Sequence, residues 1–136
     1  PMIHIFRDMT YFHENLETVY TPITHKEAFE WIQSNVTKQD VILSNNTQPD
    51  IHLSFWITAF TNKRTYISHE HETIRYKEKK DILNAFSYNT NSWDLFIKNN
   101  NIKYIIKEKT TPLKYPENNL KVTFENNDIV IYQTQN

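Results

Sequence analysis

The sequence predicts an α/β domain: a small three-stranded parallel sheet flanked by helices, extended by a C-terminal antiparallel β-hairpin. Three observations lead there. Short apolar runs at 41–45, 64–68 and 102–107 are separated by stretches with helical spacing of apolar residues. Strand, helix, strand is the order that parallel pairing requires. Two alternating runs, 120–124 and 129–133, then flank an Asn-rich turn.

The elements follow in order. Residues 1–23 are aromatic and irregular (Phe6, Tyr11, Phe12, Tyr20, Pro22) and read as an arm on the domain or a segment arriving from elsewhere; 24–136 form one domain. A first helix starts at Thr24, where Thr24-His25-Lys26-Glu27 fits a capping box. Ala28, Phe29, Trp31 and Ile32 give it an apolar face. Lys38-Gln39-Asp40 turns into the first strand. Pro49-Asp50 opens a second helix with Asp50 as N-cap. Ile51, Leu53, Phe55, Trp56, Ile57, Ala59 and Phe60 surround that helix, which implies burial on more than one side, in a core or against a partner or membrane surface.

Asn62-Lys63 leads into the second strand. A helix over 73–86 has a charged, solvated middle, and a shorter one over 92–99 is capped by Asn91 and ended by Asn99-Asn100-Asn101. The third strand, a loop containing Pro112 and Pro116, and the hairpin complete the chain. An Asn126-Asn127 turn would pair Phe124 with Ile129 and Val122 with Ile131.

A chain of 136 residues, 38% hydrophobic, supports one core. A net charge of -1 and no basic stripe argue against nucleic acid as a partner. No run approaches the roughly 18 apolar residues of a membrane span, and the first residues do not read as a signal peptide. Without cysteine there is no disulfide or thiolate metal site. Without glycine there is no phosphate-cradling glycine loop, and asparagine is expected at left-handed backbone positions.

Ligands of parallel sheets sit beyond the carboxyl ends of the strands. The densest cluster of titratable groups, His69-Glu70-His71-Glu72, follows the second strand directly. With Asn45 at the end of the first strand and Arg75 after the cluster, it forms a candidate ligand-binding or interdomain rim: Asn45, His69, Glu70, His71, Glu72 and Arg75. Lys107-Glu108-Lys109 would face the same edge. In an extended segment His69 and His71 point the same way and suit zinc, but no third ligand stands at a set spacing. A metal-dependent hydrolase using His69 and His71, a polar ligand site and a stand-alone interaction module all stay open. No catalytic residue and no cofactor is assigned; Tyr66, Tyr104, Trp56 and Trp93 are read as packing residues.

Four stretches, taken in order, carry a resemblance: FEWIQSNVTKQDVILSN (29–45), TNKRTYISHEHETIRYKEKKDI (61–82), LFIKNNNIKYIIKE (95–108) and VTFENNDIVIYQ (122–133). They resemble the C-terminal extracytoplasmic domain of multispanning membrane glycosyltransferases of the GT-C type, enzymes that use lipid-phosphate-linked sugars, or their uncharacterised relatives. Trp31, Ile32, Asn35 and Asp40 match the first motif; Arg64, Tyr66, His69, Glu72 and Thr73 the second; Tyr104, Ile105, Asn126, Val130, Ile131 and Tyr132 the rest. Ser68 stands where the pattern has glycine before the histidine. The resemblance implies an accessory, non-catalytic domain on the extracytoplasmic face, monomeric when isolated. Residues 1–23 would be its post-membrane linker. Its partners would be the transmembrane portion of the same polypeptide and a lipid-linked sugar or glycan acceptor.

Overall fold

The elements run α1 (Ile23–Asn35), β1 (Val41–Ser44), α2 (Ile51–Thr61), β2 (Arg64–Thr65), α3 (Tyr76–Ala85), α4 (Trp93–Asn99), β3 (Ile102–Glu108), β4 (Leu120–Glu125) and β5 (Ile129–Thr134). They come from a computed structural model that describes residues 23–45, 51–68, 73–86, 92–117 and 119–135. The chain is mixed α/β, with a five-stranded sheet in the order β2-β1-β3-β5-β4. β1 is parallel to β2 and β3; β5 is antiparallel to β3 and β4.

All four residues of β1 are buried, because helices cover both faces of the sheet. On one face Ala28, Phe29 and Ile32 of α1 and Leu53 and Ile57 of α2 pack on Ile42, Tyr104, Ile106, Ile129 and Ile131. On the other, Leu83 of α3 and Trp93, Phe96 and Ile97 of α4 pack on Val41, Leu43, Ile102 and Ile105. Val41 pairs with Ile102 but Ile42 with Tyr104, so Lys103 is the extra residue of a bulge. The bulge is why Ile102 shares a face with Ile105 rather than with Tyr104.

Asparagine does replace glycine where the backbone turns left-handed. Asn62, Asn101 and Asn119 have φ of 54°, 53° and 63°. Asn62 and Asn101 follow α2 and α4, and the Asn101 side chain is held by donating to Gln39 O at 2.7 Å. Arg75 is also left-handed, with φ 58°.

Several local expectations are corrected. The helix begins at Ile23, and Thr24 and Glu27 do not form the expected capping box. Thr24 Oγ1 donates to Asp128, Asn126 Nδ2 donates to Thr24 O at 2.7 Å, and Glu27 accepts from Asn126 Nδ2 at 3.0 Å. The hairpin has engaged the residues that would have capped one another. Its turn is centred on Asn127-Asp128, one residue later than expected. Asn126 Oδ1 accepts from the backbone N–H of Asp128 and Ile129, which fixes the turn from the side chain. Phe124 therefore pairs with Ile131, and Val122 with Tyr132 beyond a bulge at Thr123.

β2 is two residues long rather than five, since Tyr66 and Ile67 bend inward to 7% and 5% exposure. α3 begins at Tyr76, three residues late, because Thr73 binds the Ser68 N–H and Arg75 is left-handed. α2 is covered on one side. Leu53 and Ile57 are buried, Phe55 and Trp56 half-buried, and Phe60 is 52% exposed. The proposed caps Asp50 and Asn91 lie outside the described residues.

Candidate functional site: the carboxyl rim and the β2 groove

The chain leaves β1 for β2 on one side and returns through α3 and α4 to β3 on the other. The carboxyl ends of β1 and β3 are thus the switch point at which an open α/β sheet usually forms its crevice. Here the chain's own loop occupies that place. Asn45 is fully buried; its Nδ2 donates to Pro112 O at 3.0 Å and approaches Thr111 Oγ1 at 3.4 Å, and its Oδ1 accepts from Lys114 N at 2.9 Å. Lys107 is also buried, its ammonium donating to the carbonyls of Glu108 at 2.9 Å and Thr111 at 2.7 Å. Both polar groups are spent on folding the loop back over the strand ends, the arrangement that burial of polar groups demands. Beside them Ser44 and Ser54 share a buried hydroxyl–hydroxyl hydrogen bond that joins β1 to α2.

His69, Glu70, His71 and Glu72 lie outside the described residues, and with them the candidate metal pair His69/His71. Their flanks are described: Ser68 N donates to Thr73 Oγ1 at 2.9 Å and pins the base of the segment. Arg75 is exposed at the start of α3 and pairs with Glu78 at 3.5 Å. Asn45 and Arg75 thus engage different partners, the 111–114 loop and α3. Among the described residues no group of three or more His, Cys, Asp or Glu could hold a metal ion. His25 Nε2 lies 3.4 Å from Glu108 Oε1, an oriented imidazole whose buried Nδ1 has no hydrogen-bond partner among the described residues.

Sequence reasoning missed a groove of about 400 Å³ along β2. It is lined by Thr58 of α2, Lys63, Arg64 and Thr65 of the turn and strand, Ser68 and Thr73 beyond it, and Lys79 of α3. Lys79 Nζ donates to Tyr66 O at 2.9 Å and lies 4.9 Å from the centre of the Tyr66 ring. Burial and the neighbouring Arg64 guanidinium lower the pKa of Lys79; burial and Glu78 raise that of Tyr66. Lys79 reads as one charge in a solvated run. A signal was nonetheless present: Tyr76, Lys79 and Leu83 stand at i, i+3 and i+7, the inward stripe of the helix. A second cleft of about 260 Å³ lies between α1 and α2, lined by Lys26, Phe29, Glu30, Gln33 and Phe60. Phe60 stacks on Phe29 at 5.8 Å and on Trp56 at 5.5 Å there.

No family model matches this chain, and no curated protein does either. No helix among the described residues is long and apolar enough to cross a membrane.

Proposed function

We propose that the chain is a non-catalytic accessory domain on the extracytoplasmic face of a membrane-embedded glycosyltransferase-like protein. The domain would contribute to recognition of a glycan acceptor or a lipid-linked sugar. The observation that carries the reading is the ordered occurrence of the four stretches over residues 29–133. Contacts among the matching residues support it. Trp31 packs on Tyr104 at 5.9 Å, and on Phe124 beside the matched hairpin at 5.8 Å. Asn126 binds α1, which holds the first motif. A single packed unit gives a physical reason for such stretches to keep their order and spacing. The finer layout, three parallel strands extended by a hairpin, belongs to the same reading. Catalysis is assigned to the transmembrane portion of the polypeptide, and the aromatic outer side of α2, with Trp56 and Phe60, offers that portion a contact.

Antiserum against the domain, applied to separated membrane and soluble fractions of the source cells, tests the proposal. A membrane-bound band several-fold heavier than 16.4 kDa is expected. A soluble band near 16.4 kDa would overturn it, and so would sugar transfer by the 136-residue chain alone.

A further inference from the structure

We propose that the groove along β2 is a binding site for a phosphate-bearing anion, with Arg64 and Lys79 as its principal ligands and Ser68 Oγ as an additional donor. The inference stands apart from the membrane-parent reading, since it concerns this domain by itself.

Two cations reach the groove from different elements, Arg64 from the edge strand and Lys79 from α3, and Lys63 approaches from the preceding turn. No carboxylate is among the described residues lining it. Neither Arg64, Lys79 nor Lys63 forms an ion pair with a described residue, whereas Lys26, Arg75 and Lys109 each have an acidic partner. Lys63 is committed elsewhere, its ammonium donating to Val36 O at 2.6 Å. Arg64 and Lys79 instead repel one another. An anion placed between them would turn that repulsion into two attractions.

The donor inventory agrees. Lys79 spends one N–H on Tyr66 O and has two left; Arg64 presents five in a planar fork. Ser68 Oγ is buried without a hydrogen-bond partner among the described residues, and a buried hydroxyl left so is costly. Thr58 and Thr65 hydroxyls lie 3.2 Å apart on the groove wall. Donors converging from several directions suit a tetrahedral, multiply charged phosphate better than a planar carboxylate. Charge on an edge strand also deters strand-to-strand aggregation, which alone would account for Arg64. It would not account for Lys79, which comes from a helix and is positioned by the Tyr66 carbonyl and ring.

The test is calorimetric titration of the full 136-residue chain with inorganic pyrophosphate at low salt. In parallel, flotation is run with phosphatidylcholine vesicles, with and without phosphatidic acid. One saturable site is expected. Arg64→Gln or Lys79→Gln should weaken it by about tenfold or more, as loss of a charge-assisted bond requires. Arg64→Glu should abolish it; Lys121→Gln, on the far edge strand, should leave it unchanged. Arg64 is exposed, so its variants keep the fold, and thermal unfolding checks this. Saturable binding of pyrophosphate alone would assign a soluble phosphorylated ligand. Binding to the acidic vesicles with the same Arg64 dependence would assign a phosphate headgroup. No saturable binding to either probe, or binding unchanged in Arg64→Glu, would overturn the proposal.

Discussion

Replacing Asn45 by alanine tests whether the switch-point crevice is closed by the protein itself. The side chain is fully buried, with two well-made bonds, to Pro112 O at 3.0 Å and from Lys114 N at 2.9 Å. Alanine would remove both bonds. Both bonds are part-buried, so the low end of the roughly 1–3 kcal/mol cost of an unmade bond applies to each, and with the void of the lost amide the sum comes to about 3 kcal/mol. That is a large part of the 5–15 kcal/mol typical of a domain. In urea unfolding the midpoint should fall with the slope unchanged. In a thermal scan the loss should be about 10 °C for a chain of this length. Asn127→Ala, in the exposed turn, is the control and should stay within about 0.5 kcal/mol. If only the loop lets go, trypsin cleavage at Lys109 and Lys114 should rise sharply. A cost below about 1 kcal/mol with no added cleavage would refute the reading that Asn45 holds the loop over the strand ends.

Other expectations follow from the same packing. Burial raises the phenol pKa of Tyr66, Tyr104 and Tyr132 above 10.0. The unfolded chain therefore ionises first, and their contribution, complete below pH 10, is lost as pH climbs through the raised values. Lys79 and Lys114, with lowered values, act in the opposite sense up to 10.5. Tyr66→Phe should flatten the fall in urea-derived stability above pH 10; an unchanged slope would count against its burial. Arg75→Gly should stabilise the domain by about 0.5–1 kcal/mol by relieving its left-handed backbone, checked by urea midpoint, whereas Asn101→Gly should gain less because it forfeits the bond to Gln39. Leu83→Ala, at a fully buried site between α3 and the sheet, should cost about 2–5 kcal/mol in the same assay.

Strands backed by long-range burial were readable from local pattern, and geometry set by single side chains was not. β1 and β3 announce themselves as apolar runs because both sheet faces are covered. The hairpin was legible as a hairpin, but its register was not. A two-residue slip leaves Phe124 on its original face, so alternation cannot distinguish Phe124 opposite Ile129 from Phe124 opposite Ile131; only the bulge at Thr123 moves Val122 to the face of Tyr132. The Asn126 side chain decided between them. Thr24 and Glu27 fitted a capping box, and no local rule reveals that residues 126 and 128 compete for them. The rim was placed by topology, but the same reasoning gave no notice that Asn45 and Lys107 would fold a loop over it. The β2 groove was hidden because its cations are scattered through the sequence and meet only when α3 packs beside the edge strand.

The fastening of α1 has a consequence for the order in which the domain can assemble. Thr24 and Glu27 are held by residues 99 to 104 positions downstream. The apolar face of the helix closes on Ile129 and Ile131. A short helix detached from its tertiary contacts is marginal in water. During synthesis α1 therefore emerges long before its seat exists, and β1 likewise waits for β3. The domain cannot settle piece by piece behind the ribosome. Its first helix becomes stable only once the hairpin has been made, and β1 is seated on its inner side only once β3 has formed.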